Sequence, residues 1–163
     1  TRQALTKKKP SIIYRKGVGI MLINKDSKIF VGQRFDKDKA AWQMPQGGID
    51  QGEKSIDAVK RELEEETGIR ENYEILKKSK KKYKYDLPSF LQKKLWRGKF
   101  KGQEQRWFLL QFLGNDSEIN IRTKKPEFKK WKWVSKKELL EIIVPFKKEL
   151  YVNVLEEFKK ELV

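Results

Sequence analysis

Cysteine and histidine are both absent from this 163-residue chain. Without cysteine there is no disulfide, no thiolate metal site and no thiol nucleophile. Without histidine there is no imidazole base, no Ser-His-Asp triad and no His-ligated zinc. Chemistry near neutral pH falls to carboxylates, lysine, tyrosine or a bound metal. Long apolar runs are missing as well: none approaches the roughly 18–20 residues that a membrane span needs. Residues 1–9 hold no signal-peptide-like apolar stretch. The expectation is a cytoplasmic protein with no membrane partner.

What the chain has in excess is positive charge. Lysine and arginine number 39 against 23 acidic residues, a net charge of +16. Such a balance points to a polyanion, most often nucleic acid or a phosphorylated ligand. A lysine-biased composition is the competing explanation, since 31 of the 39 basic residues are lysine. The length fits one domain over residues 1–163, with 1–9 as a flexible basic arm.

No repeat or linker interrupts the chain. Residues 18–23 and 29–31 read as a hairpin about a turn at 24–27. A short apolar piece, 42–45, leads into a glycine turn at 46–48. Residues 53–67 form the clearest helix, closed by Gly68. Strands are predicted at 73–76 and 82–87 around a lysine cluster, at 107–113 and at 131–134. Ser135 caps a helix over 136–143, and Pro145 opens a last helix to about 161. Strands interleaved with helices predict an α/β sandwich.

The densest chemistry lies in Arg61-Glu-Leu-Glu-Glu-Glu66. At about 100° per residue, Ile56, Val59 and Leu63 make an apolar stripe, with Glu62, Glu65 and Glu66 in an arc beside it. Oxygen ligands on a rigid element suit Mg²⁺ or Mn²⁺. An exposed acidic helix face fits the helix alone equally well.

The surrounding spacing is more specific. Gly47, Glu53, Arg61, Glu62, Leu63, Glu65, Glu66, Gly68 and Ile69 complete a 23-residue pattern that resembles the Nudix box. Its physics is readable: Gly47 and Gly48 permit a tight turn that brings a carbonyl to the metal site. Arg61, near Glu65, is placed to pin a carboxylate. Glu53 at the helix start either caps the helix or helps orient the neighbours of Arg61.

Further segments extend the resemblance over roughly residues 14–160. Tyr14-Arg15, Trp42-Gln-Met-Pro-Gln-Gly-Gly48, Gly102-Gln-Glu-Gln-Arg-Trp-Phe108, Pro126-Glu-Phe128 and Val144-Pro-Phe-Lys147 are similar to bacterial RNA pyrophosphohydrolases, also called dinucleoside polyphosphate hydrolases. The resemblance implies a Nudix-type α/β/α sandwich with a mixed sheet. It implies two or more Mg²⁺ or Mn²⁺ ions on Glu62, Glu65, Glu66, Glu127 and the Gly47 carbonyl, with no other cofactor. Arg61, Glu53 and Glu62 take the catalytic positions, Glu62 as base. Arg15 and Arg34 match positions near the phosphates, and Val144, Phe146 and Lys147 match the base pocket. The implied partners are an RNA 5′ end or a dinucleoside polyphosphate, and the implied reaction removes pyrophosphate from triphosphorylated RNA. A diadenosine polyphosphate hydrolase is the alternative reading; a vestigial RNA-binding module is the third, disfavoured because it has no reason to keep crowded carboxylates.

Two features depart from the relatives. The loop between Arg34 and Trp42 is slightly long, and lysines are heavy at 77–84 and 93–101. The second cluster, with Trp96 and Phe100 interleaved, suits single-stranded RNA, whose bases stack on aromatic rings. For Trp42, Trp107 and Trp131 the expectation is core packing.

Overall fold

Alternation of apolar side chains organises the molecule, because successive strand residues face opposite sides of a sheet. The computed structural model describes residues 13–35 and 41–162. The basic arm at 1–9 and residues 36–40 of the long loop lie outside them. Strand β1 (Tyr14–Ile23) turns Val18, Ile20 and Leu22 to one side and Met21 and Ile23 to the other. It lies parallel to β6 (Gly102–Phe112), where Phe108 and Leu110 face the first side and Trp107 and Leu109 the second.

Around this pair a mixed sheet forms in the order β3-β2-β1-β6-β5, from β2 (Ile29–Arg34), β3 (Trp42–Gln43) and β5 (Tyr73–Asp86). Strand β4 (Gln46–Gly48) pairs antiparallel with β1, and β7 (Phe128–Val134) with β2. Helix α1 (Ser55–Thr67) covers the first face through Ala58, Val59 and Leu63. A short α2 (Ser89–Gln92) follows β5. Helices α3 (Lys136–Ile142) and α4 (Lys148–Glu157) cover the second face with Leu139, Leu150, Tyr151 and Val154. The result is the expected α/β/α sandwich. Among the described residues no helix is long and apolar enough to cross a membrane.

Several boundaries differ from the sequence reading. The glycine turn at 46–48 is a strand, because its backbone pairs with residues 17–19 of β1. Helix α1 starts at Ser55 rather than 53, which leaves Glu53 outside it; Gly68 ends it with φ 76. The two strands around the lysine cluster are one, β5. An irregularity between Lys78 and Lys82 takes up the extra residues, and Ser79 Oγ accepts from the Trp107 N–H there (3.0 Å). The last helix is shorter than expected: a tight turn at 145–147 precedes α4, and another follows at 159–162. Trp107 is fully buried as expected. Trp131 is half-buried and stacks on Phe30 (5.6 Å between ring centroids). Trp42 is half-buried under the Lys132 ammonium (4.6 Å).

Candidate active site

Helix α1 sets its carboxylates at different depths. Glu62 and Glu66 flank the apolar stripe and are 8% and 5% exposed, whereas Glu65 stands in solvent. Strand β4 runs against them so closely that any side chain at Gly47 would collide with the Glu62 carboxylate. That close approach, rather than a turn, is why glycine stands there. The Gln46 N–H donates to Glu66 Oε1 (3.3 Å).

Burial pushes both carboxyls up. For Glu62 the Arg61 guanidinium partly offsets the rise. Glu66 is driven well above the usual glutamate range by burial first, then by the charges of Glu62 and Glu127. Two desolvated, mutually repelling carboxylates are unfavourable unless a cation joins them.

Arg61 is the hub beside them. Its Nε and Nη2 donate to both oxygens of Glu53 (2.9 and 2.8 Å), Nη2 also donates to the Gly48 carbonyl (2.8 Å), and Nη1 donates to Glu62 (2.6 Å). Its hydrogen bond to Glu65 is longer, at 3.4 Å. The expected pinning of Glu65 is therefore secondary to the grip on Glu53 and Glu62. Glu53 also accepts from the Asp50 N–H (2.9 Å) and is lowered to about 2, chiefly by Arg61. It neither caps α1 nor lines the cleft, and Arg61 stands with it behind the wall.

The cleft itself encloses ≈ 350 Å³ and gathers Gly47, Glu62, Glu65, Glu66 and Glu127 on one side. Arg15, Arg34 and Lys125 bring positive charge to the same space. Arg34 stands at an irregularity in the β2–β7 ladder between Gln33 and Arg34, a device that re-aims a side chain at a strand end. Sequence reasoning missed Lys125, and it did not place Trp96 in this cleft. It also missed the part played by Gln46, although Gln46 stands inside a quoted motif. Gln46 Nε2 donates to the Tyr85 hydroxyl (2.9 Å) and its Oε1 accepts from Lys147 Nζ (3.1 Å).

The three expected base-pocket residues do not line the carboxylate cleft. Val144 packs on the core beneath α3 and α4. Phe146 is half-buried, 6.0 Å from the Tyr85 ring, and faces a neighbouring cavity of ≈ 400 Å³ with Tyr14 and Tyr83. Lys147 is only 3% exposed, and its ammonium donates to Gln43 (3.0 Å) as well as Gln46. The tight turn at 145–147 rotates this segment inward, so the lysine supports the cleft floor from below.

The donor set suits a hard divalent cation: oxygen only, clustered and partly desolvated. Among the described residues no three carboxylates converge on one ion-sized point, and Glu62 and Glu65 both lean on Arg61 Nη1. The fit rests on the buried Glu66 and on its charge repulsion with Glu62 and Glu127.

Residues 13–154 match the NUDIX domain. The chain belongs to the Nudix family. Among its relatives, this Nudix protein is 54% identical over 153 residues to an RNA pyrophosphohydrolase of Rickettsia canadensis, covering 94% of each chain. It is 55% identical over 146 residues to the RNA pyrophosphohydrolase of Rickettsia typhi, covering 90% of each. In structure it is similar to a C. elegans Ap4A hydrolase (TM-score 0.66, 21% identity, 91% of this chain and 97% of that one). It is equally similar to the E. coli dihydroneopterin triphosphate pyrophosphohydrolase (0.66, 18%, 87% and 97%). At those identities the structural likeness speaks to the Nudix fold. Nudix hydrolases generally use divalent metals, in keeping with the carboxylate set.

Proposed function

We propose that this Nudix hydrolase removes pyrophosphate from the 5′ end of triphosphorylated RNA, a step that promotes decay of the transcript. One observation carries the reading: a single cleft sets the Glu62–Glu65–Glu66–Glu127 group against Arg15, Arg34 and Lys125. Carboxylates that hold cations and cations that hold phosphates are what a polyphosphate ester requires. The relatives named RNA pyrophosphohydrolase over nine-tenths of the chain support the choice of substrate.

Glu62, Glu65, Glu66 and Glu127, with the Gly47 carbonyl, would hold two or more Mg²⁺ or Mn²⁺ ions. When bound, these supply charge neutralisation on the non-bridging oxygens and a water of lowered pKa. Arg15, Arg34 and Lys125 hold the phosphate chain in line. A water oxygen forms a new P–O bond, the bridging anhydride bond breaks, and the leaving phosphate takes the electron pair. Glu62 accepts the proton of the attacking water. Arg61 and Glu53 are positioning residues that fix the Glu62 carboxylate. Phe146 and Tyr85 border the cavity next to the cleft, where a nucleobase has room.

A side-by-side assay tests the reading. Triphosphorylated RNA and diadenosine tetraphosphate are offered at equal concentration, with Mg²⁺ and with excess EDTA. Faster release of pyrophosphate or phosphate from RNA, abolished by EDTA, is expected. Preference for the dinucleotide would move the substrate to diadenosine polyphosphates, and full activity in EDTA would remove the metal from the reaction.

A further inference from the structure

Arg15 has no carboxylate partner among the described residues, although it lines a cleft with four of them. What holds it is apolar. On one side its guanidinium lies where a side chain at Gly48 would stand, so that any Cβ there would collide with it. On another, its central carbon is 5.1 Å from the centroid of the Trp96 ring. The contact is a cation–π pair, which holds the charge without a hydrogen-bond acceptor.

Trp96 reaches this position by an unusual backbone route. Trp96 and Arg97 adopt φ of 52° and 59°, and Gly98 follows at 70°. Two successive non-glycine residues in the left-handed region are disfavoured by their own Cβ atoms, and such outliers gather where geometry serves a site. The turn delivers the indole to the cleft mouth, where Phe100 braces it at 6.0 Å in an edge-on arrangement.

We infer that Trp96 is a positioning residue for the polyphosphate: it acts through Arg15, holding the guanidinium against Gly48 with its donors turned to the phosphate chain. The inference rests on the phosphate-binding role proposed for Arg15 and adds a residue outside the box and outside the other quoted motifs. It also explains the physical need for glycine at 48, since Arg15 requires a bare backbone on one side and a ring on the other.

A double-mutant cycle tests it. Trp96→Ala, Trp96→Phe, Arg15→Ala and Trp96→Ala/Arg15→Ala are compared in two measurements. One is KM and kcat on triphosphorylated RNA; the other is calorimetric binding of inorganic tripolyphosphate with Ca²⁺ in place of Mg²⁺. Trp96→Ala is expected to raise KM and weaken tripolyphosphate binding about 3- to 10-fold, with kcat changed less than twofold. Trp96→Phe keeps most of the affinity, because a ring remains. In the Arg15→Ala background, removing Trp96 has no further effect. Equal losses with and without Arg15 would overturn the inference and make Trp96 an independent contact, such as a platform for a base. Absence of tripolyphosphate binding by the unmodified protein overturns it too. Should RNA prove a poor substrate while tripolyphosphate binding shows the coupling, the Trp96–Arg15 inference stands and the RNA reading falls. Melting curves confirm folding, and Trp96→Leu replaces the alanine variant if that one does not fold.

Discussion

Arg61 holds Glu53 through two parallel hydrogen bonds, Nε to Oε2 at 2.9 Å and Nη2 to Oε1 at 2.8 Å. The fork leaves Nη1 aimed at Glu62 (2.6 Å). A lysine cannot reproduce this, having one point charge and no planar fork. Arg61→Lys is expected to lower kcat/KM on the preferred substrate about 10- to 100-fold and to raise the Mg²⁺ concentration for half-maximal rate. An unchanged Mg²⁺ requirement would show that the fork does not orient the Glu62 carboxylate for the proposed metal binding.

The same pair has a pH signature. Glu53 is lowered from 4.5 to about 2, first by its hydrogen bonds from Arg61. A depressed carboxylate stabilises the fold above its unfolded pKa and loses that contribution as pH falls through the folded one. The melting temperature of Glu53→Gln should lie below that of the unmodified protein by a constant margin from pH 7 to 5. The margin should shrink between about 4.5 and 2. A margin that persists at pH 2 would assign the loss to shape rather than charge.

Glu66 carries the opposite sign. Its pKa is raised, so ionisation costs the metal-free fold stability that is fully lost above the folded pKa and restored below about 4.5. Glu66→Gln should therefore raise the melting temperature of metal-free protein at pH 7–8 by about 2–6 °C, and the gain should vanish near pH 4. Turnover should disappear with it. Glu65→Gln, exposed and only loosely tied to Arg61, should abolish turnover at modest Mg²⁺ with little change in melting. A Glu66→Gln variant that melts lower at pH 8 would contradict the desolvation argument.

Strand β5 offers a third measurement. It is a sheet edge, and Lys78, Lys80, Lys81, Lys82 and Lys84 are exposed along it. Lysines on an edge strand deter pairing with another chain, and lysines on a phosphate path release counterions when RNA binds. If they contact RNA, replacing Lys80, Lys81 and Lys82 with alanine flattens the salt dependence of RNA binding and leaves that of a mononucleotide alone. Unchanged slopes with new self-association would give the lysines the edge-protecting role only.

Phe146 separates packing from recognition. Half-buried against Tyr85, it should cost about 1–2 kcal/mol on truncation to alanine, less than a fully buried phenylalanine, and lower the melting point by about 2–8 °C. Because Tyr85 anchors Gln46 at the cleft, RNA efficiency of the folded protein should fall only a few-fold. A tenfold or larger fall with unchanged melting would identify the ring as a direct base contact.

Local physics made part of this protein legible in one dimension. Helical periodicity alone puts Glu62, Glu65 and Glu66 on one arc of α1, and the spacing from Gly47 to Ile69 names the family. Alternating apolar residues mark β1 and β6. Ser135 announces α3 by its cap, its Oγ accepting from the Glu138 N–H at 3.1 Å. These are signals between residues a few positions apart, which sequence preserves. Other features depend on partners far along the chain. Residues 77–81 read as a break between two strands because their lysines hide one continuous strand, whose pairing with β6 comes from far along the chain. Lys147 is drawn inward by Gln43 and Gln46, a hundred residues away, where its neighbours in sequence suggest an exposed head of a helix. Trp96 meets Arg15 only because a left-handed turn folds it over the end of β1. Spacing along the chain is enough to say which groups could hold cations and how they share a helix. Which of them are buried, which are tied to Arg61 and which cations face them depends on the folded sheet, because desolvation and hydrogen bonding between distant residues exist only once it has closed.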